Sequence, residues 1–230
     1  MTQTLANRYQ VLETLGEGGG GKVLLVEDFV RGRRLAMKVL AESLRDPDGI
    51  LRFKQEFRLM AQLRHPRLVE VFDYGTSDGG VPFYTMELIE GADLPAGPLS
   101  DADVTGILVQ LAEVLGFIHS RGYVHADVGP ANVRRLADGS LKLIDFGLMA
   151  PLGQSVGAPR GTPAYMAPEA VRGARLDARS DLYSLGAMAY HLATGRAVFE
   201  SDDALSVMRA HLDREPLRPS AFKPDIASDL

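Results

Sequence analysis

The pattern of hydrophobic residues changes once along the chain, near Gly91, and this change constrains the fold more than any other feature. Before Gly91 the sequence consists mainly of short, β-rich runs separated by glycines and turn residues, which predict strands. One helix is predicted among them, because Ile50, Phe53, Phe57 and Met60 recur at three- and four-residue spacing. Residues 1–90 are therefore predicted to form a small β-rich domain. Its predicted strands are Tyr9 to Leu15, Lys22 to Asp28, Arg34 to Leu40, Leu68 to Tyr74 and Val81 to Ile89.

After Gly91 the sequence is mainly helical in character. The stretch from Asp93 to Leu99 is predicted to be a connector, and Ser100 begins a helix that continues from Val104 to Ser120. Two further helices are predicted, from Ala178 to Ala193 and from Asp202 to Leu212. Residues 91–230 are thus predicted to form a second, larger and mainly helical domain, and the fold class is α+β.

Composition excludes several classes of function. The formal net charge of -5 gives no electrostatic basis for binding nucleic acid or an anionic membrane. The chain has no cysteine, which excludes disulfides, thiolate metal sites and thiol nucleophiles. Residues 1–7 lack the apolar core of a secretory signal, and Gln110 and Glu113 interrupt the apolar window from Ile107 to Ile118. That window is expected to be too short to span a bilayer, so a cytoplasmic location is predicted.

Two carboxylates and an amide occur at fixed spacing between Tyr123 and Gly147. Asp127 and Asn132 lie in the loop Tyr123-Val-His-Ala-Asp-Val-Gly-Pro-Ala-Asn132, and Asp145 opens the segment Asp145-Phe-Gly147. Because Mg²⁺ prefers oxygen ligands, Asn132 and Asp145 can hold a divalent metal ion. Asp127 then remains to orient a hydroxyl nucleophile. This arrangement predicts phosphoryl transfer.

A glycine-rich segment, Gly16-Glu-Gly-Gly-Gly-Gly-Lys-Val23, lies between the first two predicted strands. Glycines allow backbone N–H groups to approach phosphate oxygens, so the segment is a candidate phosphate-binding loop. A plain hairpin turn explains the same residues equally well. A dinucleotide-binding site of the Rossmann type is disfavoured, because a strand rather than a helix follows the glycines.

Lys38 lies in the apolar strand Leu35-Ala-Met-Lys-Val-Leu40, and Glu56 lies on the helix that follows. Taken alone, Lys38 is typical of an edge strand that faces solvent, and Glu56 is typical of a solvated helix surface. Together with the other motifs, the pair indicates a lysine neutralised by a glutamate.

These motifs together resemble the protein kinase domain, and especially the bacterial serine/threonine kinases of eukaryotic type. The resemblance runs from about Tyr9 to the C-terminus. It implies a two-lobed fold, with a small antiparallel sheet and one helix in the first lobe and a larger, mainly helical second lobe. Beyond the segments above, it rests on Met86-Glu-Leu-Ile-Glu-Gly91, Gly161-Thr-Pro-Ala-Tyr-Met-Ala-Pro-Glu169 and Asp181-Leu-Tyr-Ser-Leu-Gly186.

The resemblance implies ATP and Mg²⁺ as cofactors and a protein with a Ser or Thr acceptor as partner. Asp127 would accept the proton of the acceptor hydroxyl, while Asn132 and Asp145 would hold Mg²⁺. Lys38, held by Glu56, would contact the α- and β-phosphates. Thr162 favours Ser/Thr over Tyr substrates.

The remaining residues implied by the resemblance bind the nucleoside. The backbone of Glu87 and Ile89 would hydrogen-bond adenine, Met86 would guard the back of the pocket, and Asp93 would meet the ribose. The other implied nucleotide-binding positions are Leu15, Gly16, Gly18, Gly21, Val23, Ala36 and Arg134.

Three positions depart from the family pattern. Ala126 replaces an arginine that pairs with a phosphorylated activation loop, and Ser155 is the only hydroxyl residue from Leu148 to Arg160, so activity is expected to be independent of loop phosphorylation. Gly129 replaces a lysine that touches the γ-phosphate, and this loss is expected to slow transfer by about 10²–10³-fold. Arg134 replaces an aliphatic residue below adenine, where it either stacks on the base or fills the pocket.

The C-terminal part also differs from the family. The last helices of the larger lobe are expected to be missing, and Glu169 is expected to lack its usual arginine partner. Further domains of a longer polypeptide are therefore a candidate partner.

The leading hypothesis is an ATP- and Mg²⁺-dependent protein serine/threonine kinase. The first alternative is a pseudokinase that binds nucleotide or a protein partner without transferring phosphate. A second alternative, a kinase for small molecules, is opposed by the segment Gly161–Glu169, which is typical of peptide docking.

Overall fold

The computed structural model describes residues 4–227. Residues 1–3 and 228–230, the outermost residues of the two predicted domains, lie outside the described part. The chain divides into two compact units, Met1–Glu90 and Gly91–Leu230.

Within the described residues, the first unit contains a six-stranded antiparallel sheet. Its strands lie in the order β1 (Thr4–Leu5), β2 (Tyr9–Gly18), β3 (Gly21–Asp28), β4 (Arg33–Leu40), β6 (Pro82–Met86) and β5 (Val71–Thr76). One helix, α1 (Pro47–Gln62), contacts β5 and β6. It begins with Pro47 after the N-cap residue Asp46, whose side chain accepts a hydrogen bond from the backbone of Gly49.

Alternating residues of the strands form the core of this unit. Tyr9, Val26, Leu35, Met37 and Phe83 pack together, and each is at most 3% exposed. Burial of such apolar side chains supplies most of the stability of the sheet.

Among its described residues, the second unit contains four α-helices, which are α2 (Asp101–Ser120), α3 (Pro168–Val171), α4 (Ala178–Thr194) and α5 (Ala204–Asp213). It also contains a three-stranded sheet in the order β10 (Leu141–Leu143), β9 (Val133–Leu136) and β7 (Gly91–Asp93), and a two-stranded sheet of β8 (Tyr123–Val124) and β11 (Ala150–Pro151). The long helix α2 packs against α4, and its side chains Val104, Leu111 and Ile118 are buried.

The α+β fold class is confirmed: a small antiparallel sheet with one helix makes the first unit, and helices dominate the second. The helix predicted after Ser100 is also confirmed, and the Ser100 hydroxyl accepts a hydrogen bond from the backbone of Asp103. The predicted connector from Asp93 to Leu99 is wrong at its start, because Gly91–Asp93 forms strand β7. This short strand arises from pairing with β9, which local sequence cannot reveal.

Among the described residues, α2 is the one helix that is long and apolar enough to cross a membrane by length and composition. This corrects the expectation that the apolar window is too short, since the helix around it has 20 residues. Six of its 20 residues are buried within the unit, and a single helix of this kind can belong to a soluble domain. Its length and composition are therefore weak evidence for a membrane span.

Candidate active site

Lys38 and Glu56 form an ion pair in the first unit. Lys38 Nζ lies 2.8 Å from Glu56 Oε1, and the Tyr84 hydroxyl donates to the same oxygen at 2.8 Å. Both charged side chains are only 12% exposed, so water screens the pair weakly. The interpretation of Lys38 as a solvent-facing edge residue is therefore wrong: its strand, β4, lies inside the sheet between β3 and β6.

The pairing of the strands brings four of the predicted nucleotide-binding residues onto one face of the sheet. Lys38 is opposite Val23 in β3, and Ala36 is opposite Met86 in β6. Side chains two residues apart on a strand point to the same face, as do directly opposed residues. The face thus carries Val23, Ala36, Lys38 and Met86.

The glycine-rich segment forms a tight hairpin. β2 ends at Gly18, β3 begins at Gly21, and the two strands pair as far as these residues. Gly21 has φ 142°, and a β-carbon there would lie 2.0 Å from the carbonyl oxygen of Val39, so the position accepts only glycine. By contrast, a β-carbon at Gly16 or Gly18 would meet no atom within 4 Å.

Three predicted residues lie at the edges of this region. Leu15 is 45% exposed on β2, at an irregularity in its pairing with β3. Glu87 and Ile89 follow β6 and are half-buried. The backbone N–H of Glu87 donates to the Glu70 carbonyl at 2.8 Å, so it is already used within the unit.

In the second unit, Asp127 is held on both of its carboxylate oxygens. Thr162 donates to Oδ1 through its backbone N–H at 2.9 Å and through its hydroxyl at 3.1 Å. Asn132 Nδ2 donates to Oδ2 at 2.9 Å and to the Asp127 carbonyl at 2.8 Å. Such charge-assisted bonds fix the direction in which the carboxylate points.

Asp181, the first residue of its motif, holds the loop before Asp127. Its fully buried carboxylate accepts hydrogen bonds from the backbone N–H groups of His125 and Ala126, both at 2.8 Å. Ala126 has φ 65°, a left-handed conformation that costs about 1–2 kcal/mol for a residue with a β-carbon. These bonds offset that cost. His119 Nε2 lies 2.8 Å from the same carboxylate.

Asn132 and Asp145 are brought close together by the backbone. The N–H of Ile144 donates to the Asn132 carbonyl at 3.0 Å, and Asp145 is the next residue. The N–H of Gly147 donates to Asp145 Oδ1 at 2.9 Å. Since the amide nitrogen of Asn132 faces Asp127, its amide oxygen is available as a metal ligand.

Arg134 pairs with Asp93 across the strands β9 and β7, where the two residues are directly opposed. The guanidinium group is about one-third exposed and donates to the Asp93 carboxylate. Arg134, which is expected below adenine, and Asp93, which is expected at the ribose, therefore neutralise each other's charge.

Gly129 is buried against the ring of Tyr165. A β-carbon at this position would lie 3.1 Å from Tyr165 Cδ2, closer than an ordinary contact. Tyr165 is itself fixed, because its hydroxyl lies 2.6 Å from His191 Nδ1 and its ring stacks on the imidazole. Burial raises the pKa of the Tyr165 hydroxyl, which therefore stays neutral.

Glu169 accepts a hydrogen bond from the Ser180 hydroxyl at 2.5 Å. Glu169 therefore has a hydroxyl partner, although not the arginine of the family pattern. Ser180 lies in the first turn of α4, and its approach to α3 depends on tertiary packing that the sequence does not reveal.

Comparison with known proteins identifies the family. The model of the protein kinase domain matches residues 9–226. The chain belongs to the protein kinase family. The two-lobed fold predicted from its motifs is that of this family.

Bacterial relatives of this kinase domain are similar along nearly all of the chain. Serine/threonine-protein kinase PknB of Mycobacterium tuberculosis is 37% identical over 98% of the chain. DNA damage-responsive serine/threonine-protein kinase RqkA of Deinococcus radiodurans is 39% identical over 96% of it. The kinase domain spans only 38% of the length of the first relative and 35% of the second.

Sequence reasoning missed two residues that position the kinase motifs. Tyr84 supports Glu56 from β6, and Asp181 supports the Asp127 loop from α4. Asp181 is the first residue of the motif Asp181-Leu-Tyr-Ser-Leu-Gly186, so the sequence does indicate its importance. Nothing in the sequence around Tyr84 indicates the role of that residue.

Proposed function

We propose that this domain is an ATP- and Mg²⁺-dependent protein kinase that transfers the γ-phosphoryl group to Ser or Thr hydroxyls. The observation that carries the proposal is the position of Asp127, whose carboxylate is oriented by Thr162 on one oxygen and by Asn132 on the other. The family relationship supports it, since the relatives are named serine/threonine-protein kinases.

In this reaction Asp127 orients the acceptor hydroxyl and takes its proton. A bond forms between the hydroxyl oxygen and the γ-phosphorus, and the bond from that phosphorus to the β-γ bridging oxygen breaks. ADP leaves with the electron pair of the broken bond. Lys38, kept in place by Glu56 and Tyr84, binds the non-transferred phosphates.

The donor set of the second unit fits Mg²⁺. The Asn132 amide oxygen and the Asp145 carboxylate are hard ligands, and their backbones are tied together through Ile144. The described residues contain no cluster of three His, Cys, Asp or Glu side chains that could hold a metal ion alone. This suits Mg²⁺, which takes one or two protein ligands together with phosphate oxygens. When bound, the ion neutralises charge that develops on the phosphates.

We further propose that activity is independent of phosphorylation in the loop from Leu148 to Arg160. The Ser155 hydroxyl donates to the Gly173 carbonyl at 2.6 Å, so phosphorylation there would remove a bond that already orders the loop. Ala126 has no charge with which to bind a phosphate. A large increase in rate that depends on phosphorylated Ser155 would contradict this proposal.

The direct test is phosphate incorporation measured by mass spectrometry after incubation with ATP, Mg²⁺ and a generic basic protein. The matched control is Asp127→Asn, which keeps the shape of the side chain but removes the proton acceptor. Transfer to Ser or Thr that disappears in the control supports the kinase. A folded protein without transfer rejects it.

A pseudokinase that binds nucleotide or a protein partner is the second candidate. It is favoured by Gly129, which is buried against Tyr165 where the family places a catalytic lysine. Saturable binding of Mg²⁺ and ATP without transfer would support this alternative.

The partners proposed for the kinase are protein substrates and, within a longer polypeptide, further domains. Neither nucleic acid nor a membrane is proposed as a partner, since the formal net charge is -5. The proposed location is the cytoplasm, where ATP is available.

A further inference from the structure

The loop that carries Asp127 has no cation of its own. Residues 123–132 contain neither lysine nor arginine. Phosphoryl transfer concentrates negative charge on the γ-phosphoryl oxygens, and a cation placed at those oxygens accelerates it strongly. A working kinase with this loop needs that charge from another segment of the chain.

Arg160 lies beside Asp127 in the second unit. Arg160, Ala126, Asp127 and Thr162 line one small cavity. The backbone that follows Arg160 lies against this carboxylate: the N–H of Thr162 donates to Asp127 Oδ1 at 2.9 Å, and a β-carbon added to Gly161 would lie only 3.1 Å from the same oxygen. The hydrogen bonds from Thr162 to the same oxygen fix this approach.

The guanidinium group of Arg160 is available for a ligand. The side chain is exposed, and within the part of the chain that the structure describes it forms no ion pair. Arginine stays charged at any physiological pH, and its planar group matches phosphate oxygens in a bidentate geometry. Other arginines of the region differ: Arg179, for example, is paired with Asp177 at 2.8 Å.

We propose that Arg160 binds the γ-phosphate of ATP and supplies the positive charge that residues 123–132 lack. This inference rests on the proposed kinase function. Arg160 donates hydrogen bonds to non-bridging oxygens of the phosphoryl group and transfers no proton. The proton of the acceptor hydroxyl still passes to Asp127.

The test compares Arg160→Gln, Arg160→Lys and Arg172→Ala with the unchanged chain. Arg172→Ala is the control, because Arg172 is an exposed arginine that does not line the cavity. We expect Arg160→Gln to lower kcat about 100-fold, by analogy with loss of one transition-state donor, and Arg160→Lys to recover much of the loss. Arg172→Ala should leave kcat unchanged. Arg160→Gln with the kcat of the unchanged chain would overturn the proposal.

A binding measurement separates this inference from the kinase proposal. Calorimetry with Mg²⁺ gives the affinities for ADP and for the β,γ-imido analogue of ATP, neither of which requires turnover. The ratio of the affinity for the triphosphate analogue to the affinity for ADP should fall several-fold in Arg160→Gln. This holds even if the unchanged chain transfers no phosphate. An unaltered preference overturns the inference. So does an effect confined to the KM of an acidic peptide, because Arg160 would then bind the substrate instead.

Discussion

Thr162 donates two hydrogen bonds to a single carboxylate oxygen of Asp127, one from its backbone and one from its hydroxyl. The bonds join the loop of the proposed catalytic base to the segment Gly161–Glu169. Because Asn132 holds the other oxygen, rotation of the Asp127 carboxylate is restricted from both sides. The conformation of the segment Gly161–Glu169 and the orientation of the Asp127 carboxylate are therefore coupled.

Replacing Thr162 by valine should lower kcat about tenfold or more. Valine has a similar shape and keeps the backbone bond but loses the hydroxyl, and a hydrogen bond to a charged group contributes about 1.5–3 kcal/mol. Steady-state kinetics at saturating ATP measures the effect. Thr162→Ser is the matched control and should retain most of the activity. Equal rates for the valine and serine variants would show that the hydroxyl has no role in orienting Asp127.

Replacing Glu56 by glutamine should destabilise the first unit by about 1–3 kcal/mol and weaken ATP binding. The change removes the negative charge of Glu56 from beside the poorly solvated Lys38 ammonium group and so weakens the compensation of its positive charge. Urea denaturation and calorimetric titration with Mg²⁺ and ATP measure the two effects. Tyr84→Phe is a milder comparison, since it removes the second hydrogen bond to Glu56 but keeps the ion pair with Lys38, and it should cost about 1 kcal/mol. Unchanged ATP affinity in Glu56→Gln would contradict the proposed role of the pair.

Replacing Arg134 by leucine distinguishes the two roles left open for this arginine. If Arg134 fills the nucleotide pocket, leucine should raise ATP affinity several-fold, because Asp93 is released and an apolar floor is formed. The pair is solvent-exposed, so its loss should change the free energy of unfolding by at most about 1 kcal/mol. Calorimetric titration with Mg²⁺ and ATP gives the answer. We expect the increase, since Arg134 is already bound to Asp93; a decrease would show that Arg134 stacks on the base.

The secondary structure and the Asp127 loop were predictable because both depend on local signals. The periodicity that predicts α1 and α2 and the order of Asp127, Asn132 and Asp145 are contained in neighbouring residues. The pairing of Arg134 with Asp93 was not predictable, because the residues are 41 positions apart and meet only when β7 and β9 pair. The bond between Ser180 and Glu169 likewise depends on how α3 and α4 pack.

His211 on α5 should make the second unit less stable as the pH falls below about 6.5. The side chain is 5% exposed, with the Tyr183 hydroxyl 2.7 Å from Nδ1 and the Phe199 ring packed edge-on. Burial lowers the pKa of His211, and the carbonyls of Pro163 and Ala164, which favour the protonated ring, only partly offset this. The unfolded chain, with an ordinary histidine pKa near 6.5, therefore binds a proton that the folded chain resists. Stability is fully present above that pKa and decreases below it.

Denaturation by urea between pH 8 and pH 5 measures this effect. His211→Gln cannot titrate at this position, so its free energy of unfolding should depend less on pH even though the variant is less stable overall. Both curves include the titration of the other four histidines, so the difference between them isolates His211. The same pH dependence in both proteins would mean that His211 remains protonated, or titrates equally, in the folded and unfolded states.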